Sequence, residues 1–352
     1  MGGLKIVEYS KRDFRSIAND NSFWEKTNLP ISRRRCIAQS LNPRADEDDI
    51  LLIAAYSDDA LVSYIGILPD IVVNDDKSSV KFGWLTTWWT DKNSEHRLAA
   101  TVLLFSAIKR YSGRVAISAF TLDAKRVYDA SRRFSECARF QPVYFIMALP
   151  VRFVALGTAT KLLSRLKNKI LFAFNRRASR LDIETVNASD QGVQAFLNDS
   201  LPSDPFRRDL TYWRWVWDHP WISASGEDKS QQERYQFSVS SDCFEQIPVV
   251  VRRDGEIIGL LFMKLRDDRL SLMFALYEPR DTQDIAEALK IVIIKVNPWV
   301  YVSVDEGLNA AFKRGRRFFL TALQREPVLA YASFPLHLGA RPQYSLGDNI
   351  FT

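Results

Sequence analysis

Cysteine and histidine are the scarce residues of this chain, three of each in 352. Cys36, Cys137 and Cys243 are odd in number and far apart, which argues against a disulfide framework and fits a reducing cytoplasm. His96, His219 and His337 show no metal-ligand spacing with Cys, Asp or Glu, so no metal is expected. No apolar run reaches the roughly 18 residues that a membrane span requires. The opening Met1-Gly2-Gly3-Leu4-Lys5 lacks the apolar stretch of a signal peptide, and Ile6 stands where a myristoylated Gly2 would want Ser or Thr. Gly-x-Ser-x-Gly, Walker A and dinucleotide fingerprints are missing too. The expected setting is cytoplasmic, and no short motif announces the chemistry.

What is present is apolar mass and an uneven charge. At 47% hydrophobic, a chain of this length can bury a sizeable core and suggests two domains. The net charge of +6 is local: residues 151–180 hold eight basic residues and no acid, leaving −2 for everything else. That placement speaks against a general nucleic-acid surface. Within the segment, Leu162, Leu163, Leu166 and Ile170 have helical spacing, which predicts a basic amphipathic helix. Two readings stay open for it. It is a connecting helix that packs one side on a domain, or a surface for an anionic membrane or an acidic partner through Lys161, Arg165, Lys167, Lys169, Arg176 and Arg177.

An order of elements appears twice. In the first half, strand-like residues 50–56 reach Asp58-Asp59, residues 61–68 carry a central Gly66, and residues 80–89 follow the turn at 74–76. In the second half, residues 248–252 reach Asp254-Gly255, residues 257–265 carry Gly259, and Asp267-Asp268 leads into residues 270–277. Asp-Gly between apolar runs is a strong hairpin signal. Each meander is followed by an apolar helix, at 98–111 and 285–296, the second stopped by Pro298. A strand and a short helix come next in both halves: 115–120 with 124–134, and 299–304 with 308–314. Further strands are expected at 4–9, 143–149, 318–324 and 328–333. A helix is predicted at 30–41, with Arg33-Arg34-Arg35 exposed. On the strand at 80–89, alternation puts Trp84 and Trp88 on one face and Trp89 on the other. The resulting division is 1–150, a linker at 151–180, 181–334, and a tail at 335–352 expected to lie across a surface.

Hairpins are antiparallel and a helical crossover is parallel, so each half describes an α/β unit with a mixed, mostly antiparallel sheet flanked by helices. This order resembles the GNAT acyltransferase fold, here as two tandem modules, a layout also similar to the FemAB-type aminoacyltransferases. The resemblance implies that the turn before the first long helix holds an acyl-CoA such as acetyl-CoA, through backbone N–H groups and the helix N-terminus. The residues it assigns are Trp89, Thr90, Ser94, His96, Arg97, Leu98, Ala99 and Ala100. The chain departs from the family pattern at Glu95, where Gln or Arg is usual, and at Leu98, where glycine is usual. The equivalent turn at 278–284 has no glycine and several acids. The resemblance also implies a tyrosine that protonates the departing thiolate, a place taken by Tyr128 in the first half and by Phe312 in the second.

Asp70, Asp91 and the pair Asp305-Glu306 sit at strand ends where a base or a merely solvated acid is expected. The tryptophans around Trp213 and Trp217 suit either core packing or stacking on a sugar. Two functions follow. The first is an acyl-CoA-dependent N-acyltransferase acting on a small-molecule amine, by resemblance an amino sugar of bacterial surface-polysaccharide synthesis. The alternative is a degenerate module that keeps the fold, lacks the cofactor, and acts as a binding or scaffolding protein.

Overall fold

The computed structural model describes residues 3–74, 77–96, 98–118, 120–146, 180–186, 190–200, 204–224, 229–314, 320–323, 328–336, 338 and 343–352. The basic stretch with Lys161, Arg165, Lys167, Lys169, Arg176 and Arg177 lies outside the described residues.

Strand β1 (Leu4–Ser10) runs straight into α1 (Lys11–Ala18) through a capping box. The Asp13 N–H donates to Ser10 Oγ at 3.2 Å and the Ser10 N–H to the Asp13 carboxylate at 2.7 Å. A short α2 (Asn21–Trp24) and α3 (Arg33–Ser40) follow, the latter started by Ser32. The expected meander forms as β2 (Ile50–Ser57), β3 (Ala60–Val73) and β4 (Ser79–Thr90). Asp58 and Asp59 both take left-handed φ, 47° and 63°, as a tight hairpin turn requires. Then come α4 (Ala99–Arg110), β5 (Val115–Ser118), α5 (Leu122–Ser131), β6 (Ser135–Phe140) and β7 (Val143–Ile146).

The second half opens with β8 (Leu181–Thr185), α6 (Gln191–Ser200) and α7 (Leu210–Asp218). Its meander is β9 (Phe244–Arg253), β10 (Glu256–Arg266) and β11 (Arg269–Tyr277). It closes with α8 (Thr282–Val296), β12 (Val300–Ser303), α9 (Glu306–Arg314), β13 (Leu320–Leu323) and β14 (Val328–Ala332).

These strands make two seven-stranded mixed sheets. The first has the order β1-β2-β3-β4-β5-β14-β6, and the second, read from its far edge, β8-β9-β10-β11-β12-β7-β13. The orders correspond position by position, with one strand exchanged in each direction. β7 pairs antiparallel with β12 and β13 of the second sheet, while β14 lies between β5 and β6 of the first. A cut at 150 therefore separates lengths of chain and not sheets.

Each sheet buries two faces. The outer face of the first packs Ile65, Ile67 and Leu85 on Leu103 and Leu104 of α4. The outer face of the second packs Leu261, Leu272 and Ala275 on Ile285, Leu289 and Ile293 of α8. Between the sheets lies a shared core in which Leu68, Phe82 and Trp84 meet the same cluster as Leu260, Phe262 and Phe274. The tryptophan-rich α7 fills this layer: Trp213 stands 4.3 Å from the Phe262 ring and 4.7 Å from Phe274. Trp215 donates its indole N–H to the Ala38 carbonyl at 2.7 Å. These tryptophans pack; they do not present a sugar platform.

The tail is corrected as well. Leu346, Ile350 and Phe351 are buried, and the Phe351 ring stacks on Trp221 at 4.4 Å with an interplanar angle of 8°. Residues 343–352 lack periodicity because they pack irregularly into the core between the two sheets instead of covering a surface.

Candidate functional site: a cavity beside the bulge of β4

In β4 the pairing with β3 slips: Gly66 faces Thr86, but Tyr64 faces Trp89, so Thr87 and Trp88 together oppose one residue. Thr87 adopts φ 33°, a strained value for a β-branched residue. The extra residue reverses the alternation beyond it. Trp84 faces the shared inner core, Trp88 packs on the outer face with Tyr128, and Trp89 returns inward against Tyr64 at 5.5 Å. The expectation that Trp84 and Trp88 share a face fails for this reason.

β4 runs parallel to β5 only at Gly83–Val115 and Trp84–Ala116. From Leu85 to Thr90 it has no strand partner on that side among the described residues. The second sheet diverges at the matching place, since β11 pairs with β12 only from Arg269 to Ser271. There the free edge is closed: the Gln343 amide accepts from the Ala275 N–H at 3.1 Å and donates to the Ala275 carbonyl at 3.2 Å.

Opposite the bulge, on the inner face, is a cavity of about 150 Å³. Its walls include Arg35, Thr87, Trp221, Tyr235, Arg266 and Asp348. Arg35 belongs to the run expected to be exposed; it is 3% exposed, and Arg33 and Arg34 are half-buried. The Arg35 guanidinium lies 3.9 Å from the centre of the Trp221 ring, donates to Tyr235 Oη at 3.5 Å and also donates to Thr86 Oγ1. Gly66 makes room for this arrangement. A Cβ there would stand 2.6 Å from Thr86 Oγ1 and 2.8 Å from Thr87 Oγ1.

Behind the cavity, the buried Lys264 ammonium donates to the carbonyls of Asn349 and Thr352. Burial, and then Arg269 and Arg266, hold its pKa down to about 7. Burial pushes the Asp348 carboxyl up, and the Arg35 charge pulls it partly back.

None of the described residues assigned from the resemblance lines this cavity. Trp89 and Thr90 continue β4 past the bulge, with Thr90 Oγ1 2.8 Å from Ser63 Oγ. The turn after them is held to itself and to β2: Ser94 Oγ accepts from the His96 N–H at 3.1 Å, and His96 Nε2 lies 3.0 Å from Ser57 Oγ. Arg97 lies outside the described residues. Leu98 stands at the start of α4, 74% exposed and with no side-chain cap; Ala99 is buried and Ala100 half-buried.

Tyr128 is 0% exposed, ringed by Trp88, Phe120 and Phe134 at 4.9–5.6 Å, and its hydroxyl has no partner among the described residues. Burial raises its pKa. Phe312 holds the matching place in the second sheet, 4.8 Å from Phe145.

Three of the four acids expected at strand ends, Asp70, Asp91 and Asp305, are engaged elsewhere. Asp70 is buried in an ion pair with Arg208 at 3.3 Å and accepts the Trp84 indole N–H at 3.2 Å. The Asp91 carboxylate caps its own turn at the Asn93 N–H, 2.9 Å. Asp305 accepts from the Tyr277 hydroxyl and the Leu308 N–H. The cavity residues escaped sequence reading because they come from α3, β4, β10, two loops and the C-terminal tail. Only Gly66 in mid-strand signalled a close approach.

No protein-family model matches the sequence, and no curated protein matches it. Solved structures do. The chain is similar to a GCN5-related N-acetyltransferase from Anabaena variabilis ATCC 29413, with TM-score 0.53 and 9% identity over 94% of this chain and 72% of that one. It is also similar to the Saccharomyces cerevisiae N-myristoyltransferase with bound myristoyl-CoA, with TM-score 0.56 and 10% identity over 96% and 84%. At this identity the likeness shows the fold alone: two mixed sheets flanked by helices, in the manner of GNAT acyltransferases.

Proposed function

We propose that the chain is an acyl-CoA-dependent N-acyltransferase acting on a small-molecule amine. The observation that carries this reading is the one-sided opening. Among the described residues the edge of β4 has no strand partner beside a strained bulge that borders a polar cavity, whereas the matching edge of β11 is closed by Gln343. A free strand edge offers unpaired N–H and C=O groups to an amide-bearing ligand. At the start of α4, uncapped at Leu98, the N–H groups of Ser94, His96 and Ala99 are taken within the turn, which leaves the Ala100 end of it to meet a phosphate. These features fit an acyl-CoA, although Glu95 sits in the same turn and weakens the phosphate site.

The thioester supplies an activated carbonyl. The amine nitrogen bonds to that carbon, the C–S bond breaks, the thiolate takes a proton and the new amide gives one up. This chain's own part is to hold the acceptor. Thr87 and Tyr235 offer hydroxyls, and Asp348, its carboxyl pKa raised, is suited to take the amine proton. Tyr128, the acid implied by resemblance, is closed off by Trp88 and Phe134, so its role requires those rings to part.

Titration calorimetry with acetyl-CoA and with a long-chain acyl-CoA tests the proposal. Saturable heat is expected, and folded protein that gives none at millimolar acetyl-CoA removes it. The buried Tyr128 favours a second reading, a non-catalytic GNAT-like scaffold. Folded protein that binds neither acyl-CoA would support that one. An amino-sugar acceptor, a tandem origin, a cytoplasmic setting and membrane docking through residues 161–177 belong to the proposal as resemblance and charge suggest them. Sedimentation with anionic liposomes checks the last.

A further inference from the structure

The charges around the cavity are not matched to one another. Among the described residues, no acidic side chain forms an ion pair with Arg35 or Arg266, and Asp348 has no ion pair, whereas the Lys264 ammonium is held by the Asn349 and Thr352 oxygens. Arg35 spends its donors on neutral hydroxyls. Arg266, half-buried on β10, lines the cavity with no hydrogen-bond partner among the described residues. Two guanidinium groups against one side-chain carboxylate leave an electropositive pocket that an anionic group would balance. Asp348 is then left for a cationic group. The volume sets the scale, because a cavity of about 150 Å³ holds a benzene-sized molecule, ~6–10 non-hydrogen atoms.

Resting on the acyltransferase reading, we infer that the acceptor is a small amine that also carries a carboxylate, an amino acid or close analogue. Its carboxylate is set against Arg266 and the Arg35 side of the cavity, and its amino group against Asp348. An amino sugar, the acceptor that resemblance alone suggests, carries no anionic group and would leave Arg266 without a counter-charge. The faces of Trp221 are taken by Arg35 and Phe351, so Ile222 and Phe237 in the lining supply the apolar wall for the side chain.

The test is binding, measured on the full chain without cofactor. Ligand-observed NMR over the twenty amino acids and glucosamine comes first. Calorimetry then compares the best binder with its amide, which lacks the carboxylate, and with its deamino acid, which lacks the amine. Both truncated ligands are expected to bind ~10-fold more weakly or worse, as for the loss of a charged hydrogen bond. Arg266→Gln should abolish the preference for the acid over the amide, and Asp348→Asn the preference for the amine-bearing ligand. Circular dichroism confirms that both variants fold.

No amino acid binding at 10 mM overturns the inference. So does glucosamine binding that Arg266→Gln leaves unchanged. Acetyl-CoA binding without amino-acid binding sinks this inference alone. Amino-acid binding without acyl-CoA binding leaves the pocket assignment and sinks the transferase reading.

Discussion

Asp70 and Arg208 face each other at 3.3 Å, both almost wholly buried, and tie β3 of the first sheet to the segment that leads into α7. Arg208 also donates to Ser345 Oγ at 2.8 Å and stacks near Phe206 and Tyr212. Removing only the carboxylate leaves a buried guanidinium without its counter-charge. Asp70→Ala is therefore expected to cost about 3–5 kcal/mol in urea unfolding. The double variant with Arg208→Met should recover much of that loss, because it removes the stranded charge. Lys264 sets a second test at this scale. Its folded pKa, about 7, lies below the unfolded lysine value, so between the two the unfolded chain binds more protons. Stability is then lowest below pH 7 and rises with pH toward the unfolded value. The expected gain from pH 7 to pH 9 is about 2 kcal/mol in denaturant melts, and Lys264→Met should flatten it.

Among the elements, β4 departs furthest from what its sequence advertises. Thr87-Trp88-Trp89 are all strand-favouring residues, so nothing local marks a bulge, and strict alternation places Trp88 on the wrong face. The meanders themselves were legible, because Asp58-Asp59 and Asp254-Gly255 sit between apolar runs and take left-handed φ. So was α8, whose apolar positions fall at helical spacing and are buried on one face. α1 was missed by periodicity since only Phe14 of its apolar residues is buried, although Ser10 and Asp13 had the spacing of a cap. The cavity was not legible, because its walls meet only once two sheets and the tail are assembled. Gly66 is the element-scale probe. Gly66→Ala drives a methyl group into Thr86 and Thr87, and Thr86 holds Arg35. A loss of about 1–3 kcal/mol is expected, as for overpacking elsewhere. Amino-acid binding should weaken with it, whereas Gly113→Ala, in open space at φ 80°, should cost stability through backbone strain and leave binding intact.

Over the whole molecule, the exchange of β7 and β14 makes each sheet depend on the other half of the chain. Residues 1–150 alone would place β5 beside β6 without the strand between them, and would leave β7 with neither partner. Residues 181–352 alone would lose the strand joining β12 to β13. Both fragments would also expose the shared inner layer, including Phe82, Trp84, Phe262 and Phe274. Contiguous apolar surface of that extent drives aggregation in isolated chains. Neither fragment is expected to give a dispersed amide NMR spectrum alone. Co-expressed, the two should form a one-to-one complex with the dispersion of the intact chain, since the exchanged strands are then supplied in trans. A folded, monomeric fragment 1–150 would show that β5 and β6 close without β14. The cavity between the sheets would then be a feature of docking and not of folding. A single coincident urea transition for the intact chain, followed by tryptophan fluorescence and far-ultraviolet circular dichroism, is the outcome the exchanged layout requires.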